Sequence, residues 1–256
     1  MTRDPYLDPR SGVLRNLLGI DDADRLAKAE RELTYFTEYR LGRQRLPGRY
    51  DLDHLRAFHR EIFGTIYPWA GEVRTVAIAR SAYFAMPEYI APSAARLLDA
   101  LAAEGWLTGL DFHSFVRRLA HYLGEINAIH PFREGNGRAQ RAFLTQLARD
   151  AGWRLRWDRM DPDENIRASA HSMRGDTGPL MRMLAGLIQP ATIWPPFEAA
   201  VPAPPPDGAG PERVQISGRV VGCPSSTPLY IPCRKRARSS PARSHGSGAR
   251  APAPRP

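Results

Sequence analysis

Hydrophobic and polar positions along most of this chain repeat with the period of an α-helix. Between residues 111 and 129, apolar side chains recur every three or four positions, which predicts an amphipathic helix buried at the centre of the fold. Similar spacing predicts further helices over residues 16–41, from about 51, and over 88–103, 136–151, 161–173 and 179–188. The first of these would carry an apolar stripe of Leu26, Leu33, Phe36 and Leu41. The pattern therefore predicts a mainly α fold.

One segment departs from the helical period. Residues 72–78 alternate with period two and are rich in β-branched side chains, so they are predicted to form a strand. A polar turn near Arg80 and a return through Tyr83 and Phe84 would complete a small β-hairpin. No other β element is predicted.

The composition is that of a globular protein. Hydrophobic residues make up 43% and charged residues 25% of the 256 positions, which excludes a chain that is disordered throughout. No apolar run is long enough to span a membrane, and the N-terminus lacks the apolar core of a secretory signal, so a cytoplasmic location is expected. Cys223 and Cys233 lie near the C-terminus, so no disulfide or thiolate metal site is expected in the globular part.

Most of the prolines and most of the excess positive charge also lie near the C-terminus. Residues 190–256 carry nine basic and three acidic side chains, while the whole chain has a formal net charge of +9. Such runs cannot bury a core, so residues 1–190 are predicted to form one domain and 191–256 a disordered tail. The domain itself is almost neutral and is not expected to bind nucleic acid directly.

Candidate chemistry is concentrated in residues 130–141, His-Pro-Phe-Arg-Glu-Gly-Asn-Gly-Arg-Ala-Gln-Arg. Pro131 disfavours a helical conformation at His130, so the long central helix is predicted to end there. Residues 135–137 form a glycine-rich turn that leads directly into the next predicted helix. Free backbone N–H groups and the positive end of the helix dipole would make this turn an anion site.

Two arginines strengthen the prediction of an anion site. Arg138 and Arg141 lie in the first turns of a helix, where cations are disfavoured, and their spacing places them on one side. A bound polyanion would explain both residues. The alternative is a solvated charged face paired with acidic neighbours.

A carboxylate and a histidine complete the candidate site. Glu134 lies just before the anion turn, and a single carboxylate beside phosphates is typical of Mg²⁺ binding. An unperturbed histidine side chain titrates near neutrality, so His130 could accept a proton from an attacking hydroxyl. The remaining histidines form no convincing ligand set and are interpreted as core or surface residues: His54, His59, His113, His121, His171 and His245.

These residues resemble a known family. Residues 130–141 match every specified position of HPFx[D/E]GNGRxxR, the signature of the Fic family of protein adenylyltransferases. The resemblance extends from about residue 6 to residue 188 and includes the predicted strand, which is similar to the strand of the family's flap hairpin. It implies a Fic-type helical domain with a helix–loop–helix active site.

The resemblance implies that AMP is transferred from ATP to a Ser, Thr or Tyr hydroxyl of a target protein. His130 would be the general base, Glu134 the Mg²⁺ ligand and Phe132 a core anchor for the loop. The nucleotide phosphates would be bound by Gly135, Asn136, Gly137, Arg138 and Arg141. The target backbone would be bound by the flap, through Val76, Ile78, Arg80 and Phe84. Arg80 stands where many relatives have a lysine, so target choice is expected to differ.

Two other functions stay open at this point. Kinase-like transfer occurs in the related Doc toxins, although the intact Gly137-Arg138 pair favours AMP transfer. A catalytically silent module that binds through its basic tail is disfavoured by the intact His130.

Regulation is expected to involve a second chain. Residues 34–39 come closest to the family's inhibitory motif but fail at its last position. A separate small antitoxin that supplies a glutamate to Arg141 is therefore expected, with the enzyme acting as a bacterial toxin or as an effector delivered into a host cell.

Overall fold

The computed structural model describes residues 4–79 and 84–191. Within these residues the chain forms seven α-helices and one two-stranded sheet. The helices are α1 Ala23–Leu41, α2 Leu52–Phe63, α3 Pro87–Ala103, α4 Phe112–Ile129, α5 Asn136–Asp150, α6 Pro162–Ser172 and α7 Gly178–Leu187. The strands β1 Trp153–Leu155 and β2 Ile188–Pro190 pair antiparallel, with Arg154 opposite Gln189. The prediction of a mainly helical fold is confirmed.

The central position predicted for α4 is also confirmed. This helix packs against α3, α5 and α7, while α2 packs on α5. Phe115 and Leu119 of α4 are fully buried, and Phe58 of α2 and Phe143 of α5 join the same core. Because α4 and α5 are both anchored in this core, the short loop that joins them is held at both ends.

Aspartate N-caps set the starts of four helices. Asp22, Asp51, Asp111 and Asp161 each accept a hydrogen bond from a backbone N–H in the first turn of α1, α2, α4 and α6. The prediction that the first helix begins at residue 16 is wrong. The Asn16 side chain forms hydrogen bonds with the backbone of residues 14, 18 and 20 and so stabilises a loop. The helix begins only after Asp22, whose side chain caps its first turn.

The apolar stripe predicted for the first helix is only half correct. Leu26 and Leu41 are buried, but Leu33 is 45% and Phe36 74% exposed. The face of α1 that turns inward instead carries Glu30 and Thr34, because these side chains bond a buried arginine of α5. An ionic contact therefore sets the orientation of the middle of this helix.

The strand predicted over residues 72–78 is absent as a regular strand. The alternation itself is present, since Arg74 is buried and Val76 and Ile78 are half-buried between exposed neighbours. The backbone N–H of Arg74 donates to the Pro131 carbonyl at 2.9 Å, so the loop after α4 takes the place of a partner strand. The Phe84 N–H lies 3.4 Å from the Ile78 carbonyl, which links the two limbs of the predicted hairpin. Arg80 and Tyr83 lie outside the described residues.

The regular sheet lies at a place where none was predicted. Residue 188 was assigned to the last helix, but it begins β2 and pairs with Leu155. Three-residue strands are too short to show a period of two, which explains the error. The predicted tail lies outside the described residues except for Ala191, so the domain boundary stays a prediction. In the described part of the chain, no helix is long and apolar enough to cross a membrane.

Candidate active site

The candidate general base lies at the end of the central helix. His130 is the C-cap of α4 and adopts the left-handed conformation, with φ 48° and ψ 63°. This conformation is uncommon for a residue with a side chain and occurs mostly where surrounding contacts impose it. The following proline disfavours continuation of the helix, as predicted. The conformation turns the chain out of α4 at the histidine.

Asn127 and Phe84 both contact the imidazole ring of His130. Its Nδ1 lies 3.2 Å from the Asn127 carbonyl, and because a carbonyl can only accept, Nδ1 carries the proton. In the neutral form of the ring, the lone pair would then lie on Nε2. Phe84 stacks on the imidazole with ring centroids 3.8 Å apart and an interplanar angle of 13°. The half-buried ring thus has a fixed tautomer and a fixed plane.

The loop between α4 and α5 is held by Asn136 and by the buried ring of Phe132. The Asn136 amide accepts from the Phe132 N–H at 2.8 Å and donates to the Phe132 carbonyl at 2.7 Å. Both polar ends of this side chain therefore serve the loop itself. Phe132 is 1% exposed, which agrees with the anchor role expected for it.

A buried histidine of α2 supports the same loop. His59 stacks on Phe132 with centroids 3.9 Å apart. Its Nδ1 accepts from the Gly71 N–H at 2.8 Å, so its Nε2 donates to the Glu134 carbonyl at 2.9 Å. Burial lowers the pKa of His59 to about 4 and keeps the ring neutral at ordinary pH. The interpretation of His59 as a core residue is confirmed, but it also positions the loop.

The N-terminus of α5 has the geometry of an anion site. Gly135 is the N-cap, with φ 80°, and it has no side chain to bond the first-turn N–H groups. A Cβ at this position would lie 2.4 Å from the Phe63 ring, so the close packing requires glycine. A Cβ at Gly137 would lie 3.2 Å from Nη1 of Arg141, which places that guanidinium beside the first turn. Donors and positive charge thus converge on one point.

Arg138 does not lie on a solvated face. Its guanidinium donates to the Glu30 carboxylate and to Thr34 Oγ1, the latter at 3.2 Å, and lies 4.6 Å from the centre of the Phe63 ring. Tyr67 Oη donates to the second oxygen of Glu30. Burial pulls the pKa of Arg138 down, but the neighbouring Glu30 carboxylate outweighs it and the pKa is raised. The alternative of pairing with an acidic residue is therefore realised for Arg138, although inside the protein.

Glu134 lies directly before this turn in the chain, and the predicted flap residue Phe84 contacts His130 at the end of α4. Glu134 is half-buried in the loop, with its carbonyl held by His59. No cluster of three or more His, Cys, Asp or Glu side chains suited to a metal occurs among residues 4–79 and 84–191. Val76 and Ile78 are half-buried, whereas the Phe84 ring covers the imidazole of His130.

Sequence reasoning missed three residues that hold this site, namely Glu30, His59 and Arg74. Each lies far from the motif in the chain, and each bonds backbone or side chains within residues 129–138. One signal was available for Glu30, because an acidic residue in the middle of an otherwise apolar stripe indicates a buried partner. Nothing in the local pattern distinguishes His59 or Arg74.

Comparison with known proteins finds similarity over the part of the chain that includes the candidate site. The model of the Fic/DOC family matches residues 49–148. The chain is 41% identical over 195 residues to a probable protein adenylyltransferase Fic from Salmonella typhimurium, which covers 74% of this chain and 94% of that protein. The chain belongs to the Fic/DOC family.

A second Fic relative is longer than this chain. The protein adenylyltransferase VbhT from Bartonella schoenbuchensis is 45% identical over 177 residues, which make up 69% of this chain but 37% of VbhT. This chain therefore corresponds to little more than a third of that relative.

Two solved Fic structures share the fold. The BepC protein from Bartonella tribocorum, with bound AMPPNP, gives a TM-score of 0.67 at 23% identity over 72% of this chain and 96% of that one. The N-terminal Fic domain of a Bartonella quintana effector protein with bound ADP gives 0.68 at 25% identity over 72% and 94%.

Proposed function

We propose that this Fic/DOC protein transfers AMP from ATP to a Ser, Thr or Tyr hydroxyl of a target protein. The observation that carries the proposal is the position of an oriented histidine one short loop away from the N-terminus of α5, which has the geometry of an anion site. The names of the relatives and the nucleotides bound in similar folds support the same reaction.

The reaction assigns a proton transfer to His130. Its Nε2 accepts the proton of the target hydroxyl while the hydroxyl oxygen forms a bond to the α-phosphorus of ATP. The bond between the α-phosphorus and the bridging oxygen breaks, and pyrophosphate leaves with the bonding electrons. The Nδ1 contact with Asn127 stabilises the imidazolium that forms, because a protonated ring donates more strongly.

The phosphates would be bound by backbone rather than by the Asn136 side chain, whose amide is occupied by Phe132. First-turn N–H groups of α5 at Gly135 and Gly137 would face the phosphate oxygens. Arg141 would lie at the β/γ end, since its guanidinium is already beside the turn. Arg138 would act there together with its Glu30 partner.

Glu134 fits the requirements of a magnesium ligand. With no multidentate cluster in the described part of the chain, a metal here would take one protein carboxylate and complete its shell with phosphate and water oxygens, as Mg²⁺ commonly does. Bound Mg²⁺ would neutralise charge on the leaving pyrophosphate. The protein's own contribution is to hold Glu134 through the bond from His59 to its carbonyl.

The flap would bind the target as an added strand. Val76 and Ile78, both half-buried, would flank the target chain near His130. Arg80, outside the described residues, would contribute to target choice.

A small antitoxin is proposed as a partner that places a glutamate on Arg141. The exposed apolar side chains of α1, including Phe36 and Tyr39, offer such a partner a surface next to α5. In this proposal the protein acts as a bacterial toxin in the cytoplasm, or as an effector if it is delivered into a host cell.

Mass spectrometry tests the proposed reaction. The protein is incubated with ATP, Mg²⁺ and a bacterial lysate, and modified proteins are identified by intact and peptide mass. We expect an added AMP on a hydroxyl side chain. An added phosphate would instead show the kinase-like reaction, and no modification at any ATP concentration would support the silent binding module.

A further inference from the structure

Arg74 is a buried arginine whose hydrogen bonds all go to backbone carbonyls. It is 1% exposed and is among the largest fully buried side chains. A buried guanidinium without a carboxylate partner is costly unless its donors are satisfied. Here the carbonyls of Val76, Ala85, Ile129 and His130 accept from it, at 2.7, 2.5, 3.4 and 2.8 Å respectively.

These carbonyls include the groups that the end of α4 leaves without a helical partner. The last carbonyls of a helix need hydrogen-bond donors from outside it. The carbonyl of Asn127 takes the His130 Nδ1–H, and that of residue 128 takes the Ala85 N–H at 3.0 Å. Those of Ile129 and His130 take the guanidinium of Arg74. The positive charge also lies at the negative end of the helix dipole, where it is favoured.

The same side chain joins this helix end to the flap. Val76 lies on the first limb of the flap and Ala85 just after its second limb, and the guanidinium bonds both. The backbone N–H of Arg74 adds a fifth contact, to the Pro131 carbonyl at 2.9 Å. Arg74 therefore fixes the base of the flap against the backbone around His130. Its contacts there are with the carbonyls of Ile129, His130 and Pro131.

We propose that Arg74 is a positioning residue for the transfer reaction, because it holds His130 in its left-handed conformation and sets the distance between the flap and the imidazole. The inference rests on the proposed function, since it assumes that His130 is the base and that the target lies along the flap. Arg74 touches neither reactant and acts only through these backbone contacts.

A lysine cannot replace these contacts. Its single ammonium reaches one or two carbonyls, while the planar guanidinium reaches four in different directions. In Arg74→Lys we therefore expect the turnover of target, at saturating ATP, to fall on the order of 10- to 100-fold, as small displacements of a catalytic group do. The affinity for ATP should stay at the wild-type value, because the N-terminus of α5 is held separately by Asn136 and His59.

The experiment compares Arg74→Lys and Arg74→Met with Arg149→Lys, each assayed below its own melting temperature. Arg149 is a matched control because it also donates to backbone carbonyls, those of Gly42 and Arg43, at the far end of α5. Binding of ATP is measured by calorimetry. The tautomer of His130 is followed by its long-range ¹H–¹⁵N spectrum, which does not depend on activity.

The inference is supported if Arg74→Lys is folded and binds ATP with wild-type affinity, but turns over target slowly and has an altered His130 tautomer signal. The control Arg149→Lys should keep the wild-type turnover and the wild-type spectrum. Wild-type turnover in folded Arg74→Lys would overturn the inference, as would an unchanged His130 spectrum or an equal loss in the control. If the wild-type protein transfers no AMP at all, the proposed function fails instead. The spectrum then still decides whether Arg74 sets the geometry of His130.

Discussion

The ionic contact between α1 and α5 makes a quantitative prediction about Glu30. Glu30→Gln removes one negative charge while keeping the shape of the side chain. In the wild-type protein this carboxylate accepts hydrogen bonds from both Arg138 and Tyr67. The substitution therefore leaves the guanidinium of Arg138 in place without its compensating charge.

The magnitude follows from burial. Removing one partner of a buried ion pair costs about 3–5 kcal/mol. The side chains of Arg138 and Glu30 are 18% and 11% exposed, and the glutamine oxygen still accepts a hydrogen bond. We therefore expect a smaller loss, about 2–3 kcal/mol in the free energy of unfolding. For a domain of this size that lowers the melting temperature by roughly 4–12 °C.

ATP should offset this loss if Arg138 belongs to the nucleotide site. A polyanion at the N-terminus of α5 would supply the negative charge that the variant lacks. Thermal unfolding with and without Mg·ATP should therefore show a larger stabilisation by nucleotide in Glu30→Gln than in the wild type. The assay reports stability and binding, so it does not require a known target.

A similar network elsewhere provides the control. Glu104 pairs with Arg118 and accepts from Tyr122, but the side chains of Arg118 and Glu104 are 31% and 34% exposed. Arg118 and Tyr122 lie in the middle of α4, more than two turns before His130. Glu104→Gln should cost only about 0–1 kcal/mol and leave the effect of ATP unchanged. An unchanged melting temperature in Glu30→Gln would refute this explanation. So would a stabilisation of Glu30→Gln by ATP no larger than that of Glu104→Gln.

Two further substitutions test the loop and its support. Gly135→Ala should destabilise the protein by about 2–4 kcal/mol, because the residue has a positive φ and an added Cβ would clash with Phe63. The control is Gly152→Ala, which should cost only about 1 kcal/mol because Gly152 has a similar φ but open space around it. Equal losses in urea unfolding would contradict the packing argument. The His59 ring stays neutral in the folded protein, where its pKa is about 4, and takes up a proton on unfolding. Its contribution to the free energy of unfolding is therefore complete above its unfolded pKa and is lost as the pH falls toward its folded pKa. The expected loss is about 2 kcal/mol between pH 7 and pH 5. In His59→Gln that part of the pH dependence should disappear; an unchanged slope of stability against pH would show that His59 does not titrate as described.

The sequence was most informative where local rules decide the structure. The apolar period of α4 predicted the position of that helix closely, and Pro131 predicted its end at His130. The motif also predicted a turn before α5, where the positive φ of Gly135 favours glycine. Each of these features depends on neighbours within a few residues.

Features that depend on distant partners could not be predicted. The orientation of α1 depends on the contact between Glu30 and Arg138, which are far apart in the chain. The extended segment after Gly71 was predicted to pair with a strand, but the buried guanidinium of Arg74 and the loop after α4 satisfy its backbone instead. Residue spacing contains no information about either partner.

Transfer of labelled phosphate tests the central claim most directly. The protein is incubated with its target and with ATP labelled at either the α- or the γ-phosphate, beside His130→Ala and the control His121→Ala, a half-buried histidine of α4 two to three turns before the site. We expect covalent label on the target from α-labelled ATP alone. The label should be retained with His121→Ala and abolished with His130→Ala, although His130→Ala should still bind ATP. Label from γ-labelled ATP, or undiminished transfer by His130→Ala, would contradict the proposed reaction.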